Sequence, residues 1–194
     1  SFAFTIRYCS PAISISISAA RPSPGSSCSE AELAAAKFLS PHASLTGTIR
    51  NCAGGRTPWG SWLTCEEAGN VSPAGVRHGW IFEVPGYGTA TGQPLRAMGK
   101  SDWEAVAVDP ATGNVYQTED VTPGGFYKFV PKKYGKLSQA GELYALKVVG
   151  TDDFNFSGLN GAYVDFPAGT TWDVEWVRVT DVEAINGRIY NSAP

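Results

Sequence analysis

From about residue 45 onward this chain is written as short runs of apolar and polar residues, most of them closed by a turn signal. "LTGTIRNCAG", "WGSWLTCEE", "GWIFEVPG", "EAVAVDP", "NVYQTED", "GGFYKFVP", "GELYALKVV", "TTWDVEWVRV" and "GRIYNS" are strand-like. Gly, Pro, Asn and Asp clusters punctuate them. "EAVAVDPATGNVYQTED" reads as a hairpin, with Asp109, Pro110 and Gly113 supplying its turn. The runs "GWIFEVP", "GFYKFVP" and "GELYALKV" repeat one order: aromatic, aliphatic, then Pro or Lys. That recurrence predicts an all-β fold of antiparallel, propeller-like blades. A blade uses four strands of about ten residues, so about 150 residues hold three to four blades. Either the chain is part of a propeller or its sheet closes in some other way, and a partial propeller is the architecture expected.

Composition agrees with strands and turns. Glycine numbers 22, proline 13, and charged residues are only 17%. A net charge of -3 and the absence of a basic stripe exclude nucleic acid as a partner. No run of about eighteen apolar residues occurs, so no membrane span is expected.

The first 43 residues differ from the rest. Residues 1–30 are rich in Ser, Pro and small side chains. "FAFTIRYCSPAISISISAA" has the apolar middle and small-residue end of a signal peptide, without its clean core or basic start. "ISISIS" reads equally as an edge strand or an extended tail that pairs with a partner. One short helix is expected over residues 29–39, with Ser29 as cap, Glu32 in capping-box position and Pro41 beyond its end. The organisation expected is thus a tail and helix at 1–43 and a β domain at 44–194.

The densest stretch is "NCAGGRTPWGSWLTCEE", residues 51–67, which sets Cys65-Glu66-Glu67 at the end of an apolar strand. Further acidic residues stand at strand ends or turns: Glu104, Glu119 with Asp120, and Asp152 with Asp153. Carboxylates suit hard cations such as calcium. A thiolate adds a soft donor suited to iron or zinc. Strand ends on one face of a propeller converge on its channel, where separated carboxylates can meet. The bland alternatives stand beside this reading. Strand-end acids are commonly solvated turn formers. Cys65 is equally a small buried hydrophobe, and Trp59 and Trp62 are packing residues. The four cysteines, Cys9, Cys28, Cys52 and Cys65, match no zinc spacing. Cys52 and Cys65 are open to a disulfide, to ligation or to life as free thiols. The two histidines, His42 and His78, lack triad partners and are expected in exposed loops. No P-loop, nucleophile elbow or dinucleotide fingerprint is present.

"SLTGTIRNCAGGRTPWGSWLTCEE" resembles the signature of the PhoX-type alkaline phosphatase family. "LRAMGKSDWEAVAVDPATGNVYQTED", "GGFYKFVP", "GELYALKV" and "WDVEWVRV" follow in that family's order. The resemblance covers about residues 44–180. It implies a secreted or periplasmic β-propeller enzyme that hydrolyses phosphate monoesters with ferric iron and calcium. Carried over by position, Cys65 is an iron ligand and Glu66 a neighbouring metal-site carboxylate. Glu104 matches the glutamate of the family's "HEA" segment, and Asp120 the acid that ends its "ED" segment. Both are implied as further ligands. The chain departs from the pattern at Trp103, where the family carries His, and residues 1–43 hold no "NHE" region. After "WVRV" it reads "TDVEAINGRIYNSAP", with Glu183 nearest to the family's next glutamate.

Two functions follow as expectations. One is a metal-dependent phosphate monoester hydrolase. The alternative is a non-catalytic propeller fragment serving as an accessory subunit, its open sheet edges covered by a protein partner.

Overall fold

The computed structural model describes residues 43–68, 74–121, 123–151, 154 and 166–183. The helix expected over 29–39, His42, Asp152, Asp153 and the run "GRIYNS" lie outside these residues.

Among the described residues eight antiparallel strands make two sheets. β1 (Asn51–Arg56), β2 (Ser61–Glu66) and β3 (Ile81–Pro85) form a three-stranded sheet in chain order. β4 (Trp103–Val108), β5 (Val115–Glu119), β6 (Phe126–Pro131), β7 (Gly141–Val148) and β8 (Val174–Arg178) form a five-stranded meander, again in chain order. Helical structure among the described residues amounts to two 3-10 turns, Arg96–Met98 and Leu137–Gln139. The all-β expectation is met. Both sheets are open, and neither closes on itself among the described residues.

Local chemistry sets the turns. In the β1–β2 hairpin the Thr57 hydroxyl accepts from Ser61 N at 2.9 Å, and Gly60 takes φ 86°. Trp59 Nε1 and Ser61 Oγ both donate to Glu83 on β3, at 2.7 and 2.6 Å. Trp59 also meets Tyr134 edge-on, so it serves packing, as expected. The β4–β5 hairpin turns where the sequence places it. Asp109 accepts from Ala111 N and the Thr112 hydroxyl, which holds its carboxyl below the usual range. Gly113 supplies φ 76°.

The larger of two apolar clusters among the described residues joins the sheets, with Leu63, Ile81, Trp103, Tyr127, Phe129 and Leu143 fully buried or nearly so. Each such side chain contributes about 1.5–3 kcal/mol on leaving water. Trp103 and Tyr127 meet edge-on, 5.4 Å between centroids. The tandem glycines of "NCAGGR" are explained by this packing. A Cβ on Gly55 would stand 2.1 Å from the Val106 carbonyl oxygen, so only glycine lets β1 come so near β4. This close approach brings the start of β1 beside the start of β4. An isolated bridge, Glu67 to Asp102, ties the two sheets at the same end.

Candidate metal centre at the end of the second strand

β1 and β2 pair Asn51 with Glu66, then shift, so that Gly54 pairs with Thr64. The bulge leaves Cys52 and Ala53 facing Cys65. Such bulges re-aim side chains beside functional sites. Here Cys52 turns outward and is exposed, while Cys65 is fully buried. Both thiols are free, so the disulfide left open by the sequence is not formed.

Cys52 Sγ lies 3.2 Å from Glu104 Oε2 and donates to it. Ligand atoms of Cys52, Glu67 and Glu104 all lie within 4.8 Å of one another. Glu67 is steadied by Arg50, whose Nη2 donates to its Oε1 at 3.0 Å. The hydrogen bond to Glu104, burial and the carboxylate charges raise the pKa of the Cys52 thiol. Burial pushes Cys65 further, up to about 12, and Cys52 and Glu104 add to the effect. Without a cation, both sulfurs therefore stay protonated at neutral pH. A cation beside them would reverse that preference, because a coordinating thiol gives up its proton.

Of the residues singled out by resemblance, Glu104 belongs to this converging group. Cys65 lies close enough to feel Cys52 and Glu104. Asp120 follows β5, is exposed, and donates its backbone N to the Asp102 carbonyl. Its side chain is not one of the three that converge. Glu66 turns the other way and is 0% exposed. Its Oε1 accepts from Ile49 N at 3.0 Å and from His78 Nδ1 at 2.8 Å. Its Oε2 accepts from Gly79 N at 2.8 Å and Trp80 N at 3.0 Å. Four donors use the whole acceptor capacity of a carboxylate.

His78 corrects the sequence reading. Expected in an exposed loop, it is 5% exposed and paired with Glu66. A carboxylate buried at a strand end needs donors, and the Gly-flanked segment folds back to supply them. Trp103 stands where the resemblance led one to expect His. It is fully buried and donates Nε1 to the Gly99 carbonyl at 3.1 Å, so it acts as core. Glu119 fits the turn-former alternative. It accepts from the Ser101 hydroxyl, from Gly125 N and from the Tyr127 hydroxyl.

Cys52 and Glu67 are the members of the group that the resemblance did not assign. The hairpin was the available signal. A turn at "TPWG" lays "NCAG" against "TCEE", and that sets one cysteine opposite the other.

Fold and centre together define an all-β protein with a thiol and carboxylates gathered where two sheets meet. The sequence profile of the family described as alkaline phosphatase PhoX matches residues 25–193, most of the chain. The chain belongs to that family. No curated protein matches it, and no solved structure does. Among the described residues no helix is long and apolar enough to cross a membrane.

Proposed function

We propose that the chain is a metal-dependent phosphate monoester hydrolase whose metal centre lies at Cys52, Glu67 and Glu104, with Cys65 behind them. The observation that carries this is the convergence of one thiol and two carboxylates within 4.8 Å, where the starts of β1 and β4 meet the end of β2, in a chain that the family profile matches over residues 25–193. The donor set suits iron, which accepts mixed sulfur and oxygen ligands. Calcium takes about six to eight oxygens, more than this group supplies alone. Asp120, which the resemblance names as a ligand, is the added oxygen this reading calls on, whereas Glu66 would first have to give up one of its donors. Bound cations supply charge against the phosphoryl oxygens and a pre-oriented nucleophile. The protein's own part is positional. Glu104 holds the Cys52 thiol, Arg50 fixes Glu67, and the Glu67–Asp102 bridge holds the two sheets in register.

We read the two open sheets as blades of a propeller and, from the family match, expect a protein that works outside the cytoplasm. The test is metal analysis of the purified chain with hydrolysis of p-nitrophenyl phosphate. Bound iron and turnover, both lost in Glu104→Ala and Cys65→Ala, are expected. A wild-type chain that binds no iron from solution and releases no p-nitrophenol ends this reading.

A second reading draws on one observation. The outer face of the five-stranded sheet carries Tyr116, Phe126 and Trp176 in mutual contact, with Phe126 40% and Val174 49% exposed. This favours an accessory role in which a protein partner covers that face. Sedimentation separates the two: an active monomer leaves no work for such a partner.

A further inference from the structure

A bulge loosens the register where Cys52 and Cys65 face each other. β1 pairs Asn51 with Glu66 and Gly54 with Thr64, so Cys52 and Ala53 together stand opposite Cys65. Opposed residues of an antiparallel pair have Cα atoms about 4.5–5.5 Å apart. A disulfide spans Cα separations of about 4.4–6.8 Å. A bulged residue stands outside the regular ladder, so the backbone at Cys52 adjusts without breaking paired hydrogen bonds. The two thiols also sense each other, since the charge of Cys52 acts on Cys65.

Their surroundings differ in a way that fixes an order of reaction. Cys52 is exposed and open to a solute. Cys65 is 0% exposed and packs in the apolar core with Leu63 and Ile81. An external oxidant therefore meets Cys52 first, and Cys65 meets only what Cys52 already carries. This is the arrangement of an attacking thiol with a resolving thiol behind it. The hydrogen bond to Glu104 holds the Cys52 proton, so the first step is slow and needs sustained oxidising conditions.

We propose that Cys52 and Cys65 form a reversible disulfide that closes the thiol-carboxylate centre to metal. The Cys52 sulfur attacks one sulfur of a small-molecule disulfide such as oxidised glutathione, releases one thiol and becomes a mixed disulfide. The Cys65 sulfur then attacks the Cys52 sulfur and releases the second thiol. Each cysteine gives up a proton and each leaving sulfur takes one, so two electrons pass from the cysteine pair to the external disulfide. The product ties the start of β1 to the end of β2 and takes the Cys52 sulfur from its group with Glu67 and Glu104. The thiolate is the form that ligates metal, and a disulfide sulfur carries no such charge. The gate rests on the metal-centre reading and adds a redox control to it, whereas the bond itself does not depend on that reading.

Peptide mapping of the full chain tests the bond. The reduced, metal-free protein is held in oxidised glutathione, unfolded in iodoacetamide and cut with trypsin without reductant. Arg56 lies between the two cysteines, so residues 51–56 and 57–77 separate unless a disulfide joins them. The joined pair is expected as the main product. Glutathione left on Cys52, or Cys52 bound to Cys9 or Cys28, overturns the proposal. Two variants test the order of attack. Cys65→Ala is expected to keep glutathione on Cys52, and a Cys52 that carries none there overturns it. Cys52→Ser, at an exposed position that leaves the fold intact by circular dichroism, is expected to slow Cys65 oxidation by at least about tenfold. Equal rates with and without Cys52 overturn it as well.

The gate is read by metal binding, not by turnover. In competition with a chromogenic chelator, the oxidised chain is expected to hold iron at least about tenfold less tightly than the reduced chain, the scale on which disturbed metal sites lose affinity. Reduction of the bond is expected to restore the first value. Iron held equally by both forms overturns the gate. A reduced chain that binds no iron ends the metal-centre reading and the gate with it, whereas the bond is decided by the peptide map alone.

Discussion

Glu66 and Glu67 are neighbours in the chain and occupy opposite worlds. Glu66 is sealed from water, and four donors surround it. Glu67 is partly open, pairs with one arginine, and points toward Cys52 and Glu104. Alternation along a strand sends successive side chains to opposite faces, which is why a "CEE" end can serve two purposes. One carboxylate holds the 78–80 segment to β2. The other is left available for chemistry. A carboxylate buried with a full set of donors is costly to disturb, whereas an open one is cheap to change.

The comparison predicts a ranked set of effects. The largest belongs to the sealed side. Glu66→Ala leaves Ile49, Gly79, Trp80 and His78 facing a cavity without an acceptor. Unfolding in urea is expected to show a loss of about 3–5 kcal/mol. A loss under about 1 kcal/mol would erase the contrast with Glu67.

On the open side the effect moves from stability to ligation. Glu104→Ala is expected to lower iron affinity by at least about tenfold, the scale on which partners of metal ligands act. The unfolding midpoint should barely change, because surface changes of this kind fall within about 0.5 kcal/mol. Competition with a chromogenic chelator reads the first quantity and denaturant unfolding the second. A large stability loss with unchanged affinity would move Glu104 to the structural side.

The two cysteines repeat the contrast. In metal-free protein, peptide mapping after iodoacetamide should show Cys52 modified at least about tenfold faster than Cys65, which is both buried and strongly raised in pKa. The sign of the pH effect follows from Glu104, whose oxygen accepts from the thiol and whose charge opposes a thiolate. The raised pKa keeps Cys52 protonated to higher pH. In Glu104→Ala the pH of half-maximal alkylation is therefore expected to fall. A midpoint that stays or rises would separate Cys52 from Glu104.

The smallest effect is that of Arg50→Ala. Its guanidinium is 67% exposed, so losing the pair with Glu67 is expected to cost at most about 1 kcal/mol. A cost above 2 kcal/mol would make Glu67 a structural residue like its neighbour.

Much of the β architecture was legible from residue order. The "DPATGN" turn carries its own conformational chemistry, and the flanking runs alternate with period two, so the β4–β5 hairpin needed no distant contact. "GGFYKFVP" and "GELYALKV" became β6 and β7 for the same reason. The centre was legible only in part. Glu104 could be named because a family pattern carries it. Cys52 could not, because its exposure depends on a bulge and on how closely β1 rides over β4. His78 was misread because its partner lies 12 residues away and across a strand pair.

The chain by itself determined where strands start and stop, since turn chemistry and alternation act within a few residues. It also determined that a thiol and two carboxylates end one strand. Only the tertiary structure decided which carboxylate is buried and which is open. Burial is a property of what packs against a residue. Here that is settled by Gly55 meeting Val106 and by His78 folding back onto Glu66, both contacts between segments far apart in sequence.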